Sequence, residues 1–339
     1  MNRQDPKFAR FALVTEMLET PGGVRRFGAE AASRLAVHAD RVLLTGEGSS
    51  RIFPGKRLSV QAARNGYRES VLIEGALQAQ EYDLADTHVF VASNSGKTAE
   101  GVRLIRTLRS GGSGGAAAIT GIVATGGTPI ATEADEHFVL GCGPENAVAA
   151  TKSVVEQALV YDTVFRKRNG RELIDQNALA DGLETVLTQD IDPLIVDRIA
   201  LAPTIYFAGR NDGVAEELTL KTNEVTRRKS DYLEGTYAVH GIEEVMQPAE
   251  AVVVIDPFPE EEEKFHTVLS EGVGLTVVAI SSRQTSFPTI QIPDLGELNP
   301  YLHLAAGWNV LVHVGLKLGV DLDKPQRARK VGNEYTGGM

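Results

Sequence analysis

The feature that most constrains this chain is a repeated alternation. Short apolar runs of strand length are each followed by a small-residue turn and then a helical pattern. "RVLLTG" (41–46) reads as a buried strand, and "SRIFPGKRLSVQAARNG" as the helix after it. "SVLIEG" (70–75), "HVFVAS" (88–93), "TGIVAT" (120–125) and "EHFVLGC" (136–142) continue the strand series, with a helix expected from Lys97. "AVAATKSVVEQALVYDTVFRKR" (147–168) reads as a long amphipathic helix. Strands that are apolar throughout, not alternately, are buried on both faces, so the pattern predicts a mainly parallel sheet between two helix layers.

A second block repeats the scheme. Strands are expected at 204–210, 230–235, 251–257, 275–281 and 289–293, with helices over 212–228 and 298–319. Both blocks open on an apolar strand and a small-residue turn, "GEGSS" in one and "AGRNDG" in the other. The fold class is therefore α/β, two diverged copies of a three-layer α/β/α unit. Their boundary falls near the polar helix 175–190. The "SGGSGGAAA" tract (110–118) reads as a flexible connection, and "EEEE" (260–263) as the solvated start of a helix.

A chain of 339 residues that is 42% apolar can fill two cores. A net charge of −11 disfavours nucleic acid and anionic membrane as partners. An acidic protein that binds an anion must do so locally, with backbone N–H groups, hydroxyls and a few placed cations. Cys142 is the single cysteine, so a cysteine metal framework is excluded; burial suits it better than nucleophilic use. The opening "MNRQDPKFARF" lacks the apolar core of a signal peptide, and no apolar run approaches a membrane span. A cytoplasmic location is the default expectation.

Ligands of doubly wound sheets sit at the carboxyl ends of strands. The third strand ends there in Ser93-Asn94-Ser95-Gly96-Lys97-Thr98. Three hydroxyls, a glycine and a helix N-terminus suit an anion. Lys97 is out of place at a helix start unless a negative group is nearby. A Ser-rich cap that binds nothing is the bland alternative. A second loop, with Gly48, Ser49 and Ser50 after the first strand, favours a phosphate cradle. Neither G-x-x-x-x-G-K-[ST] nor G-x-G-x-x-G is present, so a nucleotide site is not expected.

These loops carry a family resemblance. "VFVASNSGKTAE" resembles the S-x-S-G-x-[ST]-x-[DE] loop of the SIS (sugar isomerase) phosphosugar-binding domains. "GPENAVAATKS" resembles that family's E-x-x-V-A-[SA]-T-K segment, which puts Glu145, Val148 and Ala149 at the substrate. "LLTGEGSSR" is similar to its first-strand loop. The resemblance runs over roughly 20–335 and implies two tandem SIS-type subdomains, 20–172 and 173–322, with 323–339 as a tail over the site.

The second block resembles the second isomerase subdomain of glucosamine-6-phosphate synthase. "AEELTLKTNEVT" is similar to the helix that carries a catalytic Glu, here Glu224, with Lys221 in support. "DYLEGTYAVHGIEE" resembles the segment with a ring-opening histidine, here His240; in the family it comes from the neighbouring subunit, so a homodimer is implied. "GVDLDKPQRARKV" is similar to the C-terminal tail whose lysine falls on Lys330. The chain departs from the family where His-Gly-Pro is replaced by His240-Gly241-Ile242, where one extra residue precedes His240, and where Lys97 stands in place of an acid. No glutaminase-like segment precedes the first block and no cysteine follows Met1, so ammonia from glutamine is not expected within this chain.

The resemblance thus implies a sugar-phosphate enzyme with neither metal nor cofactor. Ser49, Ser50, Ser93, Ser95 and Thr98, with Gly48, Asn94, Gly96 and Lys97 around them, would hold the phosphate. His240 would assist ring opening, Glu224 would move the C1/C2 proton, and Lys330 would meet the open-chain carbonyl or remain a frayed tail. The preferred reaction is isomerising deamination of glucosamine 6-phosphate to fructose 6-phosphate and ammonia. A plain hexose-phosphate isomerase and a fructosamine-phosphate deglycase share the same enolisation. A non-catalytic phosphosugar-binding regulator is the alternative from another class. The "AGRNDG" turn lacks the hydroxyls of the first loop, so one phosphate site per chain is expected.

Overall fold

Each apolar run becomes a parallel strand in the computed structural model, which describes residues 1–330 and 333–336. Of the expected tail 323–339, residues 331, 332 and 337–339 lie outside the described residues. The first five-stranded sheet holds β1 (Arg41–Thr45), β2 (Ser70–Glu74), β3 (Thr87–Ser93), β4 (Ala118–Val123) and β5 (Glu136–Val139), in the order β2-β1-β3-β4-β5. The second holds β6 (Thr204–Gly209), β7 (Lys229–Glu234), β8 (Ala251–Ile255), β9 (Thr276–Ser281) and β10 (Thr289–Gln291), in the order β7-β6-β8-β9-β10. Every described strand pairing is parallel. Counted within each block, the two orders are the same, which matches the repeat read from the sequence.

By internal contacts the chain forms two compact units. One comprises Gly22–Asn146, Ala150–Gln176 and Ala328–Met339; the other comprises Met1–Pro21, Ala147–Ala149 and Asn177–Arg327. In the first, central β3 is buried along its whole length while edge strand β2 is half exposed. Helix Ala99–Arg109 lays Val102, Ile105 and Leu108, spaced three apart, onto Val89, Val91 and Ile119. In the second, Val252 and Val254 of β8 pack with Phe265, Leu269 and Val277. Trp308 and His303 are buried in helix Asn299–Lys317, and His313 is half-buried there with its ring edge against Phe8. Among the described residues no helix is long and apolar enough to cross a membrane.

Some boundaries moved, for local reasons. The helix expected from Lys97 begins at Ala99, because Thr98 is extended. The helix expected from 147 begins at Lys152, because Glu145 caps it from outside. The acidic helix near 260 has a single α-turn, Glu262–Phe265, and then widens into a π-turn, His266–Val273, that ends on left-handed Gly274. Within it Glu262 is buried, held by Arg283 and the Ser286 N–H, so that acid is not on a solvated face. Helices Ala12–Arg26 and Pro193–Leu201 were not anticipated. Pro21 lies inside the first, which masks it in a sequence reading. The second starts on an Asp192-Pro193 cap, with Asp192 accepting from the Leu194 N–H.

Burial pulls three histidines, His88, His303 and the half-buried His313, from 6.5 to about 4 and makes the fold acid-sensitive, His88 and His303 being the most deeply buried. In the first unit His88 Nδ1 accepts the His38 N–H at 3.2 Å, so Nε2 carries the proton and donates to Thr120 Oγ1 at 2.8 Å. Burial, then the neighbouring His38, pulls His88 from 6.5 to about 4. In the second unit burial pulls His303 from 6.5 to about 4. Both folded values lie below the unfolded one, so the unfolded chain binds the extra protons. The stability they confer is full above about 6.5 and is lost as pH falls toward about 4. The loss should approach about 1.4 kcal/mol per pH unit for each histidine. Urea unfolding at a series of pH values, with His88→Gln and His303→Gln, should show each variant flattening the slope. An unchanged slope in both would refute the assignment.

Candidate functional site

In the first sheet the chain order reverses between β1 and β3, which are hydrogen-bonded neighbours. Such a reversal opens a crevice at the carboxyl ends of the two strands. Both serine loops lie at those ends. Gly48–Ser50 forms a tight 3-10 turn directly after β1, with Gly48 at φ 54°. Gly46, just before it, passes so close to β3 that a Cβ would lie 2.7 Å from the Ala92 carbonyl oxygen.

The loop after β3 is organised by its own hydroxyls. Ser93 Oγ accepts the Gly96 N–H at 3.1 Å and lies 2.8 Å from Thr98 Oγ1 and 3.4 Å from Ser95 Oγ. Ser95 Oγ accepts the Lys97 N–H at 3.2 Å. Gly96, at φ 65°, owes its identity to packing, since a Cβ there would sit 2.0 Å from Thr128 Oγ1. That steric reason stands beside the expected approach of an anion to this glycine. Gly96→Ala should lower stability by about 1–3 kcal/mol through overpacking and backbone strain. A urea midpoint equal to wild type would show that the loop tolerates the shift.

The remaining first-unit candidates tie this loop down. Glu145 is buried. Its Oε1 accepts the Thr151 N–H (2.7 Å) and hydroxyl (3.1 Å); its Oε2 accepts from Ser153 Oγ (2.5 Å) and Asn94 Nδ2 (3.2 Å). Lys330 Nζ lies 3.9 Å from the same carboxylate. A carboxylate so placed fastens the loop to the start of helix Lys152–Arg168. Val148 and Ala149 belong to the short stretch that groups with the second unit; Ala149 is buried and Val148 half-buried.

Lys97 answers its own puzzle in part. Its ammonium pairs with Glu334 at 3.1 Å. Around that pair, a strap from the far end of the chain crosses the helix start. Asn333 O accepts the Ala99 N–H at 3.0 Å, the Tyr335 N–H donates to Lys97 O at 2.8 Å, and Thr98 bridges Glu334. Arg106 donates to the Tyr335 hydroxyl and stacks on its ring at 4.4 Å. The helix N-terminus therefore does not present all its N–H groups openly, as the sequence alone suggests; one is taken by Asn333.

In the second unit, Glu224 sits near the end of helix Val214–Val225. Lys221, one turn earlier, is fully buried and its Nζ lies 2.7 Å from Glu224 Oε2 and 3.1 Å from Glu217 Oε1. An ordinary surface pair is thereby excluded. Burial works to lower the lysine pKa, but the two carboxylates outweigh it and hold the amine above its usual range. Glu217 is fully buried while Glu224 keeps a quarter of its side chain exposed. Sequence reading missed Glu217; its spacing of four from Lys221 is the signal that could have found it. His240 ends a short 3-10 turn, Tyr237–Val239, and is exposed.

The switch point of the second sheet, between β6 and β8, is occupied differently. Arg210 lies 2.6 Å from Asp256 Oδ2, donates also to the Asp256 carbonyl, and stacks on Phe258 at 4.3 Å. Cys142 is half-buried; burial, followed by Glu156, pushes its thiol up, away from nucleophilic use. Among the described residues, no group of three His, Cys, Asp or Glu side chains is placed to hold a metal ion.

The sheet order, with hydroxyl-bearing loops at its reversal, defines a parallel α/β protein, and the chain is similar in sequence to isomerizing fructose-6-phosphate aminotransferases and in fold to solved phosphosugar isomerases. It is 28% identical over 279 residues to the isomerizing glutamine–fructose-6-phosphate aminotransferase of Halobacterium salinarum, covering 74% of this chain and 46% of that protein. The chain thus spans about half the length of the curated relatives it matches. The fold superposes on the C-terminal domain of glucosamine-fructose-6-phosphate aminotransferase from Francisella tularensis with a TM-score of 0.75, at 16% identity over 93% of this chain and 98% of that one. It superposes on glucosamine-6-phosphate deaminase from Thermotoga maritima with a TM-score of 0.73, at 17% identity over 96% of this chain and 99% of that one. No protein-family model matches the chain.

Proposed function

We propose that the protein is a phosphosugar isomerase/deaminase that converts glucosamine 6-phosphate and water into fructose 6-phosphate and ammonia. One observation carries this reading: two hydroxyl-bearing loops stand side by side at the β1/β3 reversal. The likeness to a glucosamine-6-phosphate deaminase fold and to fructose-6-phosphate aminotransferases supports the substrate class. The two sheets are read as tandem SIS-type subdomains, 20–172 and 173–322, with 323–339 as the tail.

In this reading Gly48–Ser50 and Ser93–Thr98 grip the phosphate, with Glu145 anchoring the loop through Asn94. Glu224 removes the proton at C2 and returns it to C1, held in place by Lys221. The resulting imine at C2 takes up water and releases ammonia. His240 opens the ring. The resemblance implies its delivery to a second copy of the chain, and Tyr237 and Val245 on its flanks are exposed. Lys330 meets the open-chain carbonyl.

Coupled assays for ammonia and for fructose 6-phosphate, over a panel of hexosamine and hexose 6-phosphates, test the reading. Turnover of glucosamine 6-phosphate is the expected result. Isomerisation without ammonia would reassign the protein as a plain hexose-phosphate isomerase, and turnover confined to fructosamine phosphates as a deglycase. The His240-Gly241-Ile242 departure favours one further reading, a phosphosugar-binding regulator. Binding without turnover across the panel would select it.

A further inference from the structure

Helix Lys152–Arg168 is buried on nearly all sides, yet it carries a glutamine, Gln157, that is 0% exposed. An amide buried in such a helix is costly unless both its ends are hydrogen-bonded. The amide nitrogen reaches Ser50 Oγ at 3.4 Å. The carbonyl oxygen Oε1 has no hydrogen-bond partner among the described residues. Gln157 is therefore poorly explained as a core residue, and its one polar contact is with a loop hydroxyl of the β1/β3 crevice.

A serine hydroxyl has one proton to give and two acceptor positions. A donor on the oxygen leaves the proton directed elsewhere. In the neighbouring loop the Ser93 oxygen is engaged by Gly96, Thr98 and Ser95. Among the described residues Ser50 has no such ring of partners around its side chain; Gln157 supplies the contact. We propose that Gln157 is a positioning residue for sugar-phosphate binding: by donating to Ser50 Oγ it commits the Ser50 proton to the bound phosphate. This rests on the reading above, in which Ser50 contacts that phosphate.

The test is a double-mutant cycle read by calorimetric titration with fructose 6-phosphate. Wild type, Ser50→Ala, Gln157→Met and the double variant are compared, with Gln157→Glu as a fifth protein. Ser50→Ala should weaken binding about 10-fold, and Gln157→Met about 5-fold. The double variant should bind within about 2-fold of Ser50→Ala alone, because Gln157 acts through that hydroxyl. Gln157→Glu matches the amide atom for atom but accepts the serine proton and faces the anion with a like charge. It should be the weakest single variant, by more than about 10-fold.

A Gln157→Met affinity equal to wild type, or losses that simply multiply in the double variant, would overturn the inference and leave the phosphate site standing. Gln157→Glu binding better than Gln157→Met would also overturn it, since Ser50 would then donate toward the side chain. If the methionine variant does not fold, the isosteric glutamate variant decides alone. Wild-type protein that binds neither fructose 6-phosphate nor inorganic phosphate would instead refute the functional reading, and this inference with it.

Discussion

Glu224→Gln should abolish ammonia release while leaving phosphosugar affinity nearly unchanged. Glutamine keeps the length of the side chain and an oxygen for the Lys221 ammonium, now 2.7 Å from the carboxylate. It cannot accept a proton. Loss of a general base of this kind lowers turnover by about 10²- to 10⁴-fold. In the proposed reading the phosphate is held by Gly48–Ser50 and Ser93–Thr98 and not by Glu224, so fructose 6-phosphate affinity should stay within about 3-fold. The same coupled assays, paired with calorimetry, read both quantities. Full turnover in the variant would remove Glu224 from the mechanism. Matched loss of binding and turnover would mean that the residue holds the sugar and does not move its proton.

Lys221→Met should be the most damaging single change to stability. The ammonium is fully buried between Glu217 and Glu224, and Glu217 is fully buried with it. Removing the cation strands a carboxylate in the core, which costs about 3–5 kcal/mol. Replacing both buried charges, as Lys221→Met with Glu217→Leu, should recover most of that loss, because the stranded charge is gone. Urea unfolding of the two variants separates the cases. A single variant as stable as wild type would deny that the triad is closed to water. The lysine pKa is raised in the fold, so its stabilisation is complete below the ordinary lysine value and fades only as pH climbs through the raised one. The lysine therefore adds nothing to the acid sensitivity of the buried histidines.

Strands β1, β3, β4, β6, β8 and β9 were legible because burial on both faces writes a continuous apolar run. All ten expected runs carry a strand, with ends displaced by a few residues. Loops and helix starts were less so, since their ends are set by side-chain contacts remote in sequence. Glu145 delays a helix by reaching forward to Thr151, and no periodicity reports that. The Ser93–Thr98 loop was identified by composition, but its reason for Gly96 lies on Thr128, beyond any local pattern. Gln157 looks like any polar residue of an amphipathic helix until the helix proves to be buried all round. Glu217 and Lys221 were two acid-base neighbours among several; burial alone distinguishes them.

The strap on the helix start has a consequence for biogenesis. The Arg106 to Tyr335 bond joins residues 229 apart, and the Ala99 to Asn333 bond is of the same kind. Nascent chain carrying the first sheet emerges with Lys97 and Ala99 still unmatched, and a whole second unit must be translated before Asn333, Glu334 and Tyr335 reach them. A ribosome-bound intermediate halted before residue 333 would thus display the Ser93–Thr98 loop beside a bare helix end until synthesis passes that point.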